Sequence, residues 1–197
     1  MEIEKIVFSS ETEFHMLRHF EKLNTEQLTY FISKGYDRQS IQEQLDLPGS
    51  KFFPAFAENV STILKKIKKW DYEVIESSKA RLVVGVEAPQ SVGSLAVIPI
   101  ANLSELEFKA IYKKNNRGTE LFHLVVDELP VTHVITLILK PSNDYLQLIT
   151  AFPGEAGTPI PNKKMDIESF NHSKKYWSEH VFLERRGGPI ELSFNHI

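Results

Sequence analysis

Apolar positions recur at helical spacing as far as Trp70 and at strand spacing after it. Ser10 with Glu13 fits a capping box and predicts a helix through about Phe20. Asn24 with Gln27 opens a second helix, in which Leu28, Phe31 and Ile32 share a face and Gly35 supplies a left-handed end. Asp37 starts a third, with Ile41 and Leu45 four residues apart, stopping before Pro48. A fourth is predicted from Pro54 or Ala55 to Trp70, because Phe56, Val60, Ile63, Leu64 and Ile67 fall on one side and lysines on the other. The Gly35-Tyr36-Asp37 junction superficially suggests a helix-turn-helix. The following QSIQEQLD has only Arg38 as a base beside it, so a structural helix pair is the better reading.

After Trp70 the period changes. Short strands are predicted at 72–75, 81–86, 95–100, 107–113 and 120–126, with a tight turn at Asn115-Asn116-Arg117-Gly118. The run THVITLILKPSNDYLQLITAFPG, from Thr132 to Gly154, reads as a hairpin, since dense β-branched and aromatic residues flank a Pro/Ser/Asn/Asp turn. Both of its strands are too apolar for an exposed edge, so the hairpin should be central. A closing helix from about Ile167 to Phe182 and an edge strand at Ile190–Phe194 complete the pattern. The expected fold is α+β. A helical region (1–71), a bundle of three or four helices, precedes a sheet domain (72–197), a twisted antiparallel sheet with the C-terminal helix packed on it.

Composition narrows the function classes. With 42% hydrophobic and 25% charged residues the chain is an ordinary globular one. It has no cysteine, which excludes disulfides, thiolate metal sites and cysteine nucleophiles. No apolar run is long enough for a membrane span, so a cytoplasmic protein, or one delivered into a target cytoplasm, is expected. The net charge of −3 weighs against a strongly electrostatic nucleic-acid binder. Local clusters soften this: Lys65, Lys66, Lys68 and Lys69; Lys113, Lys114 and Arg117; Arg185 and Arg186. Nucleotide, metalloprotease, EF-hand and nucleophile-elbow motifs are absent, and neither cofactor nor metal is expected. His15 and His19 have helical metal-ligand spacing without an evident third ligand, and are expected at the surface.

The segment THVITLIL, then LQLITAFPG, a Pro-rich exit and the Trp/His stretch SFNHSKKYWSEHVFL resembles the C-terminal half of metal-independent ribonuclease toxins of the barnase, colicin and RelE-like group. The resemblance covers roughly residues 108–183 and rests on a pattern of strands without a single diagnostic motif. It implies a sheet face whose His, Thr, Ser, Tyr or Arg side chains cleave RNA, and a protein inhibitor (an immunity protein or antitoxin) as a second partner. Such cleavage needs a proton acceptor for the 2′-hydroxyl, a donor for the leaving 5′-oxygen, and donors for the charged phosphorane. His133, at the start of one hairpin strand, and Thr150, near the end of the other, are expected to share a pocket. Thr136 would face away from His133 in a regular strand. His123 on the preceding strand and Arg117 in the turn before it complete the candidates. The alternative reading is a non-catalytic binding protein: an immunity or antitoxin partner, or a mobile-element accessory domain.

Overall fold

The computed structural model describes residues 5–106, 108–116 and 119–185. The chain divides into two compact units, each made of two stretches: Met1–Ser94 with Val131–Ala156, and Leu95–Pro130 with Gly157–Ile197. Residues 1–71 and 72–94 therefore lie together in the first unit.

The hairpin is the centre of the first unit. β10 (Val134–Pro141) and β11 (Leu146–Pro153) pair antiparallel, from Ile135 opposite Pro153 to Pro141 opposite Leu146. β10 is flanked on its other side by β4 (Leu82–Glu87), which pairs in turn with β3 (Tyr72–Ser77). The fifth strand of this sheet is β1 (Ile6–Val7), which joins the far edge parallel to β11. Ile135, Leu137, Leu139 and Leu148 are fully buried, consistent with interior strands. A small second sheet is built from β2 (Lys51–Phe52), β5 (Gly93–Ser94) and β9 (Val131–Thr132).

The expected N-terminal bundle is not what these residues form. The helices are short: α1 (Ser10–Met16), α2 (Thr25–Ser33), α3 (Arg38–Leu45) and α4 (Val60–Ile67). At seven to nine residues they are too brief to be stable alone; β1 precedes them and β2 separates α3 from α4. α4 buries Val60, Ile63, Leu64 and Ile67 in the same core as the hairpin. Thr12 in α1 donates its hydroxyl to the Leu148 carbonyl of β11 at 3.1 Å. Leu17, Phe31 and Ile41 make a small separate cluster. The N-terminal segment is thus a covering woven into the sheets. Two-residue strands leave no alternation to read, which is why the sequence pattern missed them.

Local signals are largely met. Asn24 and Gln27 form the capping box, Asp37 caps α3, and Gly35 has φ +93°. Ser9, one residue before the expected Ser10, caps α1. Lys51 donates its ammonium to the carbonyls of Arg18, Phe20 and Leu45, closing both the 3-10 turn Leu17–His19 and the end of α3.

The second unit holds a four-stranded sheet in the order β6 (Val97–Pro99), β12 (His180–Arg185), β8 (Thr119–Val126), β7 (Phe108–Asn116). β12 runs parallel to β8 and antiparallel to β6, so this sheet, like the first, is mixed and not purely antiparallel. α5 (Ile167–Ser178) stops before the expected Phe182. The sequence HVFLER then alternates, burying Val181 and Leu183 with Ile98, Leu124 and Val126 on one face. The segment Ile190–Phe194 lies outside the described residues. Among the described residues no helix is long and apolar enough to cross a membrane.

Candidate functional site

The opposite face of the second unit's sheet carries its polar chemistry. Tyr112 of β7, His123 of β8 and Phe182 of β12 stand directly across from one another in the register. The His123 ring lies between the other two, with centroids 5.3 Å from Tyr112 and 5.0 Å from Phe182. Glu184, two residues beyond Phe182, shares this face. Its Oε1 is 2.6 Å from His123 Nδ1, and the Tyr112 hydroxyl donates to Oε2. α5 covers Phe182 through Trp177, whose ring stacks on it at 4.6 Å. Trp177 is held by its own indole N–H, which reaches the carbonyls of Thr158 at 3.1 Å and Pro159 at 3.3 Å.

Burial alone would push the Glu184 carboxyl upward. Hydrogen bonds from His123 and Tyr112, with the charges of His123 and Lys114, outweigh that and hold it below its ordinary value. The carboxylate is therefore ionised, an acceptor only, and His123 Nδ1 carries the hydrogen between them. Burial and donation to Glu184 push the Tyr112 phenol up, so it stays a donor. This leaves His123 Nε2 as the open end of the group. It is buried and, among the described residues, has no hydrogen-bond partner. A histidine oriented at one nitrogen by a carboxylate and unpartnered at the other is built to exchange a proton at the second. His123 is only 3% exposed, so Nε2 is shielded from solvent in this structure.

The other sequence candidates divide between the units. His133 lies in the first, exposed between β9 and β10, with Nε2 3.2 Å from the Ser91 hydroxyl. Thr150 pairs with Ile138, five residues along β10 from His133 and about 17 Å away at the usual rise of a strand. The two do not share a pocket. β11 continues three residues past Thr150, so the strand end that meets the His133 side of the hairpin is Pro153–Gly154. Thr136 is fully buried and donates its hydroxyl to the Gly154 carbonyl at 2.7 Å, a structural role at the hairpin's end. Thr136 and Thr150 fall on one sheet face, since Thr136 is opposite Phe152. Arg117 lies outside the described residues.

The Thr150 hydroxyl is buried without a hydrogen-bond partner among the described residues. Thr150→Val, which replaces it by an isosteric methyl, is expected to hold or raise the urea midpoint, by up to about 1 kcal/mol of stability. A clear loss would mean that the hydroxyl has a partner in solution.

Tyr112 and Glu184 were not among the sequence candidates. The alternation of HVFLER places Phe182 and Glu184 on one face, but the parallel pairing of β12 with β8 leaves no mark in the sequence. His19, expected at the surface, is buried against the Phe152 ring, with Nδ1 2.9 Å from the Ser50 carbonyl. Among the described residues no group of three or more His, Asp or Glu is arranged to hold a metal ion.

No protein-family model and no curated protein matches the chain. Among solved structures, the chain is similar to a conserved hypothetical protein of Toxoplasma gondii ME49, at 12% identity and a TM-score of 0.38. The match covers 63% of this chain and 85% of that one. A likeness of that degree carries no argument about fold or activity.

Proposed function

We propose that the chain is a metal-independent endoribonuclease whose proton-transfer group is His123. The observation that carries this reading is the Glu184-oriented imidazole with its second nitrogen unpartnered. In this reaction the 2′-oxygen of the RNA attacks the adjacent phosphorus while Nε2 takes its proton. The bond to the 5′-oxygen breaks as that oxygen takes the proton back from the His123 imidazolium, giving a 2′,3′-cyclic phosphate, a 5′-hydroxyl end and neutral His123 again. Glu184 and Tyr112 position the ring, and the carboxylate stabilises the imidazolium formed in the step. Lys114, exposed and on the same face as Tyr112, supplies a cation for the phosphate. The resemblance of residues 108–183 to ribonuclease toxins supports RNA as the substrate class.

Cleavage of a mixed RNA pool by the purified chain is expected to survive excess EDTA and to fail where the 2′-hydroxyl at the cut is hydrogen. His123→Gln is expected to lower the rate by roughly 10²–10⁴, the span of a general acid or base. Glu184→Gln should lower it less and alter the pH profile, a change that loss of packing alone would not give. If His133→Ala abolishes cleavage and His123→Gln does not, the reaction belongs to the first unit. A folded protein inert on every RNA, with or without divalent metal, would favour the non-catalytic binding protein.

A further inference from the structure

An open cleft of about 450 Å³ lies wholly within the first unit, between α1, α2 and the start of α4. Its floor is apolar: Phe8, Leu17, Phe20, Phe31 and Val60. Its rim is acidic, with Glu13, Glu26 and Glu58, and among the described residues no Lys, Arg or His lines it. The walls are fastened to each other. Gln27, which completes the cap of α2, also donates its side-chain amide to the Glu58 carbonyl, and Asn59 caps α4. The Tyr30 hydroxyl, at the rim, donates to Glu13 at 2.5 Å. The cleft is therefore preformed, which limits the ordering cost of filling it.

We propose that this cleft binds a basic amphipathic peptide segment of a protein partner. A volume of this size accepts a few side chains, and an apolar floor selects apolar anchors. Three rim carboxylates with no cation among the described lining residues select Lys or Arg beside those anchors, and disfavour nucleic acid and acidic peptides. A wholly apolar occupant would leave those carboxylates partly desolvated and unpaired. A small polyamine would satisfy the rim and leave the floor exposed. The inference uses none of the residues assigned to RNA cleavage and stands or falls independently of that reading.

The probe is a fluorescein-labelled peptide of about twelve residues, three turns of helix, with Leu on one face and Lys on the other. Fluorescence anisotropy with the full chain is expected to show saturable binding that weakens with salt. The Glu13→Gln, Glu26→Gln, Glu58→Gln triple variant should bind about tenfold or more weakly, a loss of roughly 1.4 kcal/mol. Ser61→Arg, at an exposed lining position, should weaken binding as well. A charge-matched control, Glu43→Gln, Asp144→Asn and Glu168→Gln, should bind as the parent does. Thermal melts confirm that each variant is folded. The proposal is overturned if the control loses as much as the triple variant, if a Leu/Glu peptide binds equally, or if spermine displaces the probe at matched concentration. Absence of binding up to about 1 mM peptide overturns it also.

Discussion

Acidification is expected to destabilise the first unit well before its carboxylates titrate, through His19. Burial is the main cause that pulls this imidazole down to about 3, and the nearby cations Arg18, His15 and Lys51 act in the same direction. The Ser50 carbonyl, which accepts from Nδ1, opposes them only in part. The folded pKa lies below the unfolded 6.5, so between those values the unfolded chain binds the extra proton. The stabilising effect of the neutral ring is thus fully present above pH 6.5 and is lost as pH falls toward 3. The slope is about 1.4 kcal/mol per pH unit, on the order of 5 kcal/mol across the interval. That is comparable with the whole stability of an ordinary domain. Urea titrations at pH 6.5 and 5 avoid most carboxylates, although His15, pulled down by burial and by Arg18, adds to the same slope. A fall of about 2 kcal/mol is expected between them. His19→Gln keeps a donor for Ser50 but cannot titrate, and should flatten the dependence. An unchanged slope in that variant would assign the effect to other groups.

The second large effect is expected at Gly93. This residue sits in the middle strand of the small sheet, facing Phe52 on one side and Thr132 on the other. A methyl added there would lie 2.3 Å from the Lys51 carbonyl oxygen and 2.6 Å from Pro153 Cγ. The first contact is with backbone, which cannot rotate away, so Gly93→Ala must part β5 from β2 or push β11 aside. A cost of about 3 kcal/mol or more is expected, at the upper end of overpacking. It would appear as a lower urea midpoint at unchanged slope. Adding Pro153→Ala should restore only part of the loss, since the carbonyl clash remains. Full recovery would show the ring to be the sole obstacle.

What the sequence made legible is local. Caps at Asn24 and Asp37, and the turn inside the hairpin, depend on residues three or four apart, so their signals are local. The core stripe of α4 is equally plain. What escaped is long-range pairing. Ile6–Val7 gives no hint of lying beside Leu146–Gln147, and Glu184 gives none of meeting a histidine on a parallel strand. The His133–Thr150 pair failed for a related reason. The ends of two strands look adjacent in sequence, but register decides which residues meet, and β11 runs past Thr150. His123 was visible as a candidate. Its orienting carboxylate was not.

The two-stretch construction of each unit also sets a timetable for synthesis. Ile6 and Val7 leave the ribosome long before Leu146 and Gln147, the residues they pair with. At roughly 5–20 residues per second that delay is about 7–30 s. Meanwhile β3 and β4 have been made without the central strand that follows them, and residues 95–130 intervene as the opening stretch of a different unit. That unit in turn lacks β12, the strand between β6 and β8, until residue 185 has been added. A ribosome stalled anywhere from 95 to 130 therefore holds a chain with both units unfinished. No uninterrupted fragment contains either unit whole without also carrying a stretch of the other.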